Sequence, residues 1–200
     1  MKLNWAERWA VNNPLRVIQQ RLEMRWFKKN SHLKPGATVL EVGCGRGAGA
    51  GMILNEFQPA VLQAMDLDVE MIVRAKDYLP PEPAQGISFY VGDVLHLPYK
   101  DGALDAVFAF GVLHHIPDWQ AALGEIARVL KKGGIYFLEE LYPAVYQNFI
   151  TKHILLHPRE NRFDSEGLRG ALLAANLHLE HFSEHPKIGI FGIYTKATDH

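Results

Sequence analysis

A run of alternating glycines follows a short apolar stretch in VLEVGCGRGAG, residues 39–49, and a carboxylate stands two residues before the first glycine. Glycines adopt backbone conformations that other residues avoid, so this kind of turn lets the main chain press against a ligand. If a helix follows, its first N–H groups and the positive end of its dipole face that ligand. The run therefore predicts a ligand-binding turn that contains Glu41, Gly43, Cys44 and Gly45.

The class of ligand stays open on the glycine run alone. Gly43, Gly45 and Ala48 match a dinucleotide-binding fingerprint with alanine in the third place. Asp66 lies 23 residues after Gly43, where an acidic residue accepts hydrogen bonds from ribose hydroxyls. An alternative role for Asp66 is to cap the following helix, and Asp68 competes for that role. The run and Asp66 fit more than one class of nucleoside-containing cofactor.

Strands and helices must alternate to position this turn, and the pattern from residue 37 onward predicts that they do. Apolar runs, rather than strict period-two alternation, indicate strands of a parallel sheet that is covered on both faces. The predicted strands are Ala37–Gly43, Val61–Leu67, Ile87–Asp93, Leu104–Gly111 and Ile135–Glu139. The predicted helices cover 47–57, Val69–Leu79 and Pro117–Lys131, the last one stopped by two glycines at 133–134.

The two ends of the chain do not show this alternation of parallel strands and helices. The N-terminal 36 residues predict a helix over 3–11 and a second one from Pro14 to about Lys29. An apolar stripe at helical spacing should form the buried face of the second helix; it consists of Leu15, Ile18, Leu22 and Trp26. The C-terminal part predicts a helix within 141–155, a helix from Asp164 or Ser165 to about Ala175, and an antiparallel hairpin of His178–His185 with Ile188–Lys196.

Five segments together resemble the class I S-adenosylmethionine-dependent methyltransferases, specifically the small type 11 family. The matching segments are VLEVGCGRGAG (39–49), AMDLD (64–68), VGDVLHLPY (91–99), LDAVFAFGVLHHI (104–116) and EIARVLKKGGIYFLEE (125–140). They cover most of residues 37–140, and their order and spacing carry the resemblance. It implies an α/β fold: a Rossmann-like, doubly wound, mostly parallel seven-stranded sheet with a C-terminal antiparallel hairpin and an N-terminal helical arm.

The resemblance also implies S-adenosylmethionine as the cofactor and a set of residues that hold it. Asp66 would bind the ribose, Asp93 the adenine amino group and the Val94 N–H a ring nitrogen, whereas Phe110 and Gly111 would border the methionine part. An alternative for Asp93 is to cap the turn over 94–97. The expected cofactor-binding residues are Glu41, Gly43, Cys44, Gly45, Asp66, Leu67, Asp93, Val94, Phe110 and Gly111.

Catalytic residues are harder to assign, because methyl transfer requires little beyond geometry when the donor is already activated. The candidates for a catalytic role are His114, His115, Glu139 and Tyr142. Glu140, next to Glu139 after the fifth strand, is a further polar candidate on the acceptor side. No metal site is expected. Neither the pair His153 and His157 nor the histidines at 178, 181 and 185 has a completing ligand set.

Composition sets further bounds. Two hundred residues with 22% charged residues are typical of a globular enzyme, and no apolar stretch reaches the ~20 residues of a membrane span. One cysteine favours a cytoplasmic location. Residues 1–36 carry eight basic and two acidic residues, a net charge of +6, whereas the rest carries −7. This basic arm suits an anionic or lipid-like small-molecule acceptor, a membrane surface or docking on its own domain, and no nucleic acid is expected.

Together these observations predict one methyltransferase domain over 1–200. It would comprise a helical arm or lid (1–36), a cofactor-binding core (37–140), and acceptor-side helices with the terminal hairpin (141–200). Tryptophans of the arm, Trp5, Trp9 and Trp26, would either cover the cofactor or pack in the core. The competing hypotheses are an NAD(P)-dependent oxidoreductase and a non-catalytic cofactor-binding protein. The sequence leaves the methyl acceptor and the oligomeric state open.

Overall fold

The computed structural model describes residues 14–81, 86–146 and 161–198. The helix predicted over 3–11, with Trp5 and Trp9, lies outside these residues, as do His153 and His157. None of the helices described is both long and apolar enough to span a bilayer.

Seven strands form one sheet in the order β3-β2-β1-β4-β5-β7-β6. The strands are β1 (Thr38–Val42), β2 (Val61–Asp66), β3 (Ile87–Val91), β4 (Leu104–Phe110), β5 (Leu130–Leu141), β6 (Leu177–His185) and β7 (Gly189–Lys196). The first five run parallel to one another, and β7 pairs antiparallel with both β5 and β6. The predicted fold class, including the terminal hairpin, is confirmed.

Helices cover both faces of the sheet. They are α1 (Pro14–Asn30), α2 (Ala48–Phe57), α3 (Val69–Tyr78), α4 (Trp119–Val129), α5 (Pro143–Tyr146) and α6 (Ser165–Ala174), with a short 3-10 turn at Leu113–His115. Side chains of α1, α2 and α3 pack in one core cluster, and those of α4 and α6 pack in the other. The central strands β1 and β4 are buried on both faces, as continuous apolar runs require.

Two sequence predictions about these elements are wrong. The fifth strand, predicted as Ile135–Glu139, begins at Leu130, because Leu130 pairs with Leu104 before the glycines. The next pair is Ala106 with Ile135, so the register shifts and the extra residues lie on β5. The helix before it correspondingly ends at Val129.

The predicted apolar stripe of α1 does not form its buried face. Ile18 and Leu22 are exposed, whereas Met24, Phe27 and Glu23 are buried. Trp26 packs edge-on against Phe27 and Phe191, in the core. The helix is therefore turned so that charged residues at its N-terminal end face the sheet.

Candidate functional site

One cavity opens at the carboxyl ends of the parallel strands, beside the point where the strand order reverses between β1 and β4. In doubly wound sheets this is the position at which ligands bind. About 1080 Å³ of empty space, open to solvent, lies between the loop after β1 and the ends of β2, β3 and β4. The cavity is lined by all ten residues of the predicted cofactor-binding set: Glu41, Gly43, Cys44, Gly45, Asp66, Leu67, Asp93, Val94, Phe110 and Gly111.

The glycine loop is held between β2 and the wall formed by the segment after β4. The Cys44 N–H donates to the Met65 carbonyl over 2.9 Å, and the Gly45 N–H donates to Asp66 Oδ2 over 2.9 Å. Gly43 has a positive φ of 66°, and a Cβ atom there would lie 2.5 Å from Val112 Cγ2. Glycine is required at this position for both reasons.

Glu41 brings a buried carboxylate to the floor of the cavity. It accepts the Ala50 N–H, and burial together with the nearby charge of Asp66 raises its pKa well above the ordinary value. A Cβ atom on Gly49 would lie 2.0 Å from Glu41 Oε1, so the glycine leaves room for the carboxylate. Glu41 Oε2 is buried and has no hydrogen-bond partner in the described part of the chain. This oxygen can accept a hydrogen bond from a ligand.

Asp66 ties the loop to the end of β2. Its Oδ2 accepts the Gly45 N–H and its Oδ1 accepts the Asp68 N–H, each over 2.9 Å. Burial raises the pKa of Asp66 despite these bonds. The helix-capping alternative is decided in favour of Asp68, whose side chain accepts the Glu70 N–H at the start of α3. Asp66 is therefore left to face the cavity.

Asp93 caps a turn and also lines the cavity. Its Oδ1 accepts the Leu95 N–H over 3.0 Å, which caps the turn after β3. Its side chain also lines the cavity, next to Val94. A carboxylate has about four acceptor positions, so one capping bond leaves Asp93 able to bind a donor of a ligand.

Of the four catalytic candidates, only His115 lines the cavity. His114 is buried, and its Nδ1 lies 2.6 Å from Glu140 Oε2. Glu139 forms an ion pair with Arg16 of α1. The Tyr142 hydroxyl donates to Glu184 Oε1 over 2.5 Å, in a separate cluster between α6 and β6.

Glu140, an acceptor-side polar candidate from the sequence, is not among the residues that line the cavity, and its carboxylate instead organises the wall after β4. It is fully buried and accepts the N–H groups of Val112 and Leu113 over 2.8 and 2.6 Å, besides contacting His114. These bonds fix the 3-10 turn from which His115 faces the cavity. This bonding role could not be read from the sequence, because the partners of Glu140 lie 26–28 residues earlier, in the segment after β4.

The arm contributes two cavity residues that the sequence did not indicate, Arg16 and Gln20. Arg16 pairs with Glu139, and its Nη1 lies 3.6 Å from Glu23 Oε2. Burial and the charge of Glu139 raise the pKa of Glu23 to about 7. This wall of the cavity therefore holds one guanidinium between two carboxyl groups.

Cys44 lines the cavity but is unsuited to nucleophilic chemistry. Burial, together with the nearby charges of Glu41 and Asp66, raises the pKa of its thiol above the ordinary range. Among residues 14–81, 86–146 and 161–198, no group of three or more histidine, cysteine or acidic side chains is arranged to hold a metal ion.

The sequence and the fold were compared with known proteins. Residues 40–138 match the family model described as a methyltransferase domain. The sterol 24-C-methyltransferase ERG6B of Gibberella zeae is 36% identical over 125 residues, which are 62% of this chain and 33% of that protein. The phthiotriol/phenolphthiotriol dimycocerosates methyltransferase of Mycobacterium tuberculosis is 30% identical over 141 residues, 68% of this chain and 50% of that protein.

The chain thus spans a third to a half of the length of these curated relatives. Among solved structures, a geranyl diphosphate methyltransferase in complex with S-adenosylmethionine is similar over 94% of both chains. Its TM-score is 0.75 at 14% sequence identity, a likeness of fold.

The acceptor role of Glu140 can be tested by removing its carboxylate. Glu140→Ala leaves the buried N–H groups of Val112 and Leu113 without an acceptor, so we expect the free energy of unfolding to fall by about 3 kcal/mol or more. Urea denaturation measures it. Glu180→Ala on β6 is the matched control, because Glu180 is exposed and its loss should change stability by less than about 0.5 kcal/mol. Equal effects of both changes would refute the role.

The carboxyl of Glu23 should make stability depend on pH. Its pKa is raised from 4.5 to about 7 on folding, so its stabilising contribution is complete below the lower value and is lost as the pH rises through the higher one. We expect Glu23→Gln to be more stable than the unchanged protein at about pH 8, on the order of 2 kcal/mol, and similar at about pH 5.

Thermal or urea denaturation across this pH range measures the difference. Glutamine keeps the oxygen that accepts the 2.7 Å hydrogen bond from Gln19, so packing changes little. Glu56→Gln on α2 is the control, because Glu56 is exposed. A pH profile of Glu23→Gln that parallels the unchanged protein would exclude Glu23 as the titrating group.

Proposed function

The chain belongs to the class I S-adenosylmethionine-dependent methyltransferase family, and from this membership we propose that it transfers the methyl group of S-adenosylmethionine to a small lipid-like acceptor. Its cofactor is S-adenosylmethionine, and S-adenosylhomocysteine is the product. The observation that carries the proposal is the meeting of Glu41, Asp66 and Asp93 around the glycine loop in one cavity. These carboxylates come from the ends of three strands and face one ligand space.

Residues at the ends of β1, β2 and β3 suit the methionine, ribose and adenine parts of the cofactor, respectively. In this proposal Asp66 would accept hydrogen bonds from the ribose hydroxyls. Asp93 would accept one from the adenine amino group, and the Val94 N–H would donate one to a ring nitrogen of the adenine. Glu41 Oε2, which has no hydrogen-bond partner in the described part of the chain, would accept a hydrogen bond from the ammonium group of the methionine part. Gly43, Cys44 and Gly45 would lie along the ribose and methionine portion, and Phe110, Gly111 and Leu67 line the remaining walls of the cavity.

The reaction needs alignment more than it needs acid or base chemistry. When bound, the cofactor supplies an activated methyl group on a sulfonium. The chain holds the donor against the glycine loop and admits the acceptor from the opposite wall, so that displacement is in line. Positioning of this kind lowers barriers by about 7–11 kcal/mol. Where the acceptor arrives protonated, His115 is the candidate base, since it lines the cavity.

The electrostatics of the arm wall favour a lipid-like over an anionic acceptor. Arg16 forms an ion pair with Glu139 and lies near Glu23, so its positive charge is largely offset by Glu139 before a substrate binds. The remaining lining on this side is apolar and includes Val112 and Ile116. The relatives described above are named as methyltransferases of a sterol and of phthiotriol/phenolphthiotriol dimycocerosates. These names support a lipid-like acceptor for this chain.

The proposal keeps the three-part organisation of one domain, with the arm over 1–36, the cofactor core over 37–140 and the acceptor side over 141–200. Arg16 and Gln20 of α1 line the cavity, which supports the lid role of the arm. The one cysteine is a buried free thiol, which supports a cytoplasmic location.

The cofactor site can be tested by calorimetry with S-adenosylhomocysteine. We expect binding by the unchanged protein, weakened about tenfold or more in Asp66→Ala and in Asp93→Ala, because each loses a charged acceptor. Asp77→Ala is the control, since Asp77 is an exposed residue of α3 outside the cavity. Binding of NADH without binding of S-adenosylhomocysteine would contradict the proposal in favour of an oxidoreductase.

The transfer itself can be tested with labelled S-adenosylmethionine. The protein is incubated with separate lipid and water-soluble fractions of a cell extract, and the labelled products are identified by mass spectrometry. We expect label in the lipid fraction. Cofactor binding without label in any fraction would instead indicate a non-catalytic binding protein.

A further inference from the structure

The side of α1 that faces away from the sheet has an unusual composition. Ile18 and Leu22 are 55% and 62% exposed, and Arg25 and Lys29 are exposed as well. Their spacing of i, i+4, i+7 and i+11 places the four on one face of the helix. We call this the outer face of α1. Along this face, two apolar residues are followed by two basic residues.

The charge of the helix is also one-sided. α1 contains five basic residues, and its one acidic residue, Glu23, is buried near Arg16. Arg21, which is exposed, stands directly beside Leu22. The outer face therefore presents positive charge and apolar side chains to solvent without a carboxylate of its own helix.

Another helix offers a useful contrast. Val69 and Val73 of α3 are 57% and 55% exposed, about as much as Ile18 and Leu22. Their helix carries acidic residues among them, and Glu70 pairs with Arg74. Exposure of aliphatic side chains is thus shared by both helices, whereas the positive surroundings are specific to α1.

We propose that the outer face of α1 docks on the surface of an anionic phospholipid bilayer. A helix with aliphatic residues and arginines or lysines on one exposed face binds at the lipid interface, with the apolar groups below the head groups and the cations at the phosphates. Charge complementarity selects an anionic membrane over a neutral one.

Docking at this face would bring the cavity next to the lipid phase. Arg16 and Gln20, on the opposite side of the same helix, line the cavity. A lipid-like acceptor would then pass from the bilayer around one helix instead of crossing water. The delivery of an acceptor from the bilayer rests on the proposed function. Membrane binding by the outer face of α1 does not, because it requires no methyl transfer.

Co-sedimentation with vesicles tests the docking. The full chain is mixed with vesicles of phosphatidylcholine that either contain or lack phosphatidylglycerol. We expect sedimentation with the anionic vesicles, little with the neutral ones, and a decrease in about 0.5 M salt because screening weakens the attraction. Equal binding to both vesicles, or binding to neither, would overturn the proposal.

Two double variants separate the contributions. We expect Ile18→Ser/Leu22→Ser and Arg21→Gln/Arg25→Gln each to weaken partitioning to anionic vesicles roughly tenfold, the second with a reduced salt dependence. Val69→Ser/Val73→Ser is the matched control and should bind like the unchanged protein. Equal losses in all three would overturn the assignment to α1.

Calorimetry with S-adenosylhomocysteine on every variant shows that the fold and cavity are intact. It also separates the two proposals. Vesicle binding without cofactor binding would refute the function and leave the docking standing, and cofactor binding without vesicle binding would do the reverse.

Discussion

Backbone N–H groups in the loops beyond the carboxyl ends of the strands need acceptors, and this requirement shapes the whole cavity. These N–H groups no longer bond to a neighbouring strand, and a buried N–H without an acceptor costs folding free energy. Carboxylates at the strand ends accept them: Glu41 from Ala50, Asp66 from Gly45 and Asp68, and Glu140 from Val112 and Leu113. Each wall of the cavity is thereby fixed to a strand.

The same carboxylates account for the chemistry proposed for the cavity. Burial raises the pKa of Glu41 and of Asp66, so the ionised forms are costly unless donors surround them. The backbone supplies some of these donors, and the remaining acceptor positions are suited to the hydroxyls and the ammonium of a ligand. One set of side chains thus holds the loops and, in the proposed function, would also bind the cofactor. Asp93 is an example, since it caps a turn and lines the cavity.

The arm is joined to this framework by charge as well as by apolar packing. Phe27 packs edge-on against Phe137 on the sheet, and Arg16 pairs with Glu139 at the end of β5. Because its charged residues at one end are turned inward, aliphatic residues of the same helix are left on the outside. The burial of Arg16 and the exposure of Leu22 are two consequences of one helix orientation.

Local patterns were sufficient for much of the architecture. The apolar runs and glycines predicted the five parallel strands of the core, and Asp66, Asp93 and the glycine loop were expected at the carboxyl ends of these strands, where the cavity lies. Parallel strands with covered faces leave few alternatives, so residues at their carboxyl ends come together. Helix spacing, in contrast, misjudged α1, since periodicity counts apolar residues and takes no account of a distant carboxylate such as Glu139.

The sequence by itself therefore determined the fold class, the glycine loop and the acidic residues beside it, because these follow from short-range spacing. Only the tertiary structure decided that Asp68 and not Asp66 caps α3, that Glu140 holds the turn before His115, and that Arg16 faces the cavity. Each of these depends on which donors and acceptors remain unpaired once the strands are assembled. That balance is a property of the packed molecule and cannot be read from any one segment.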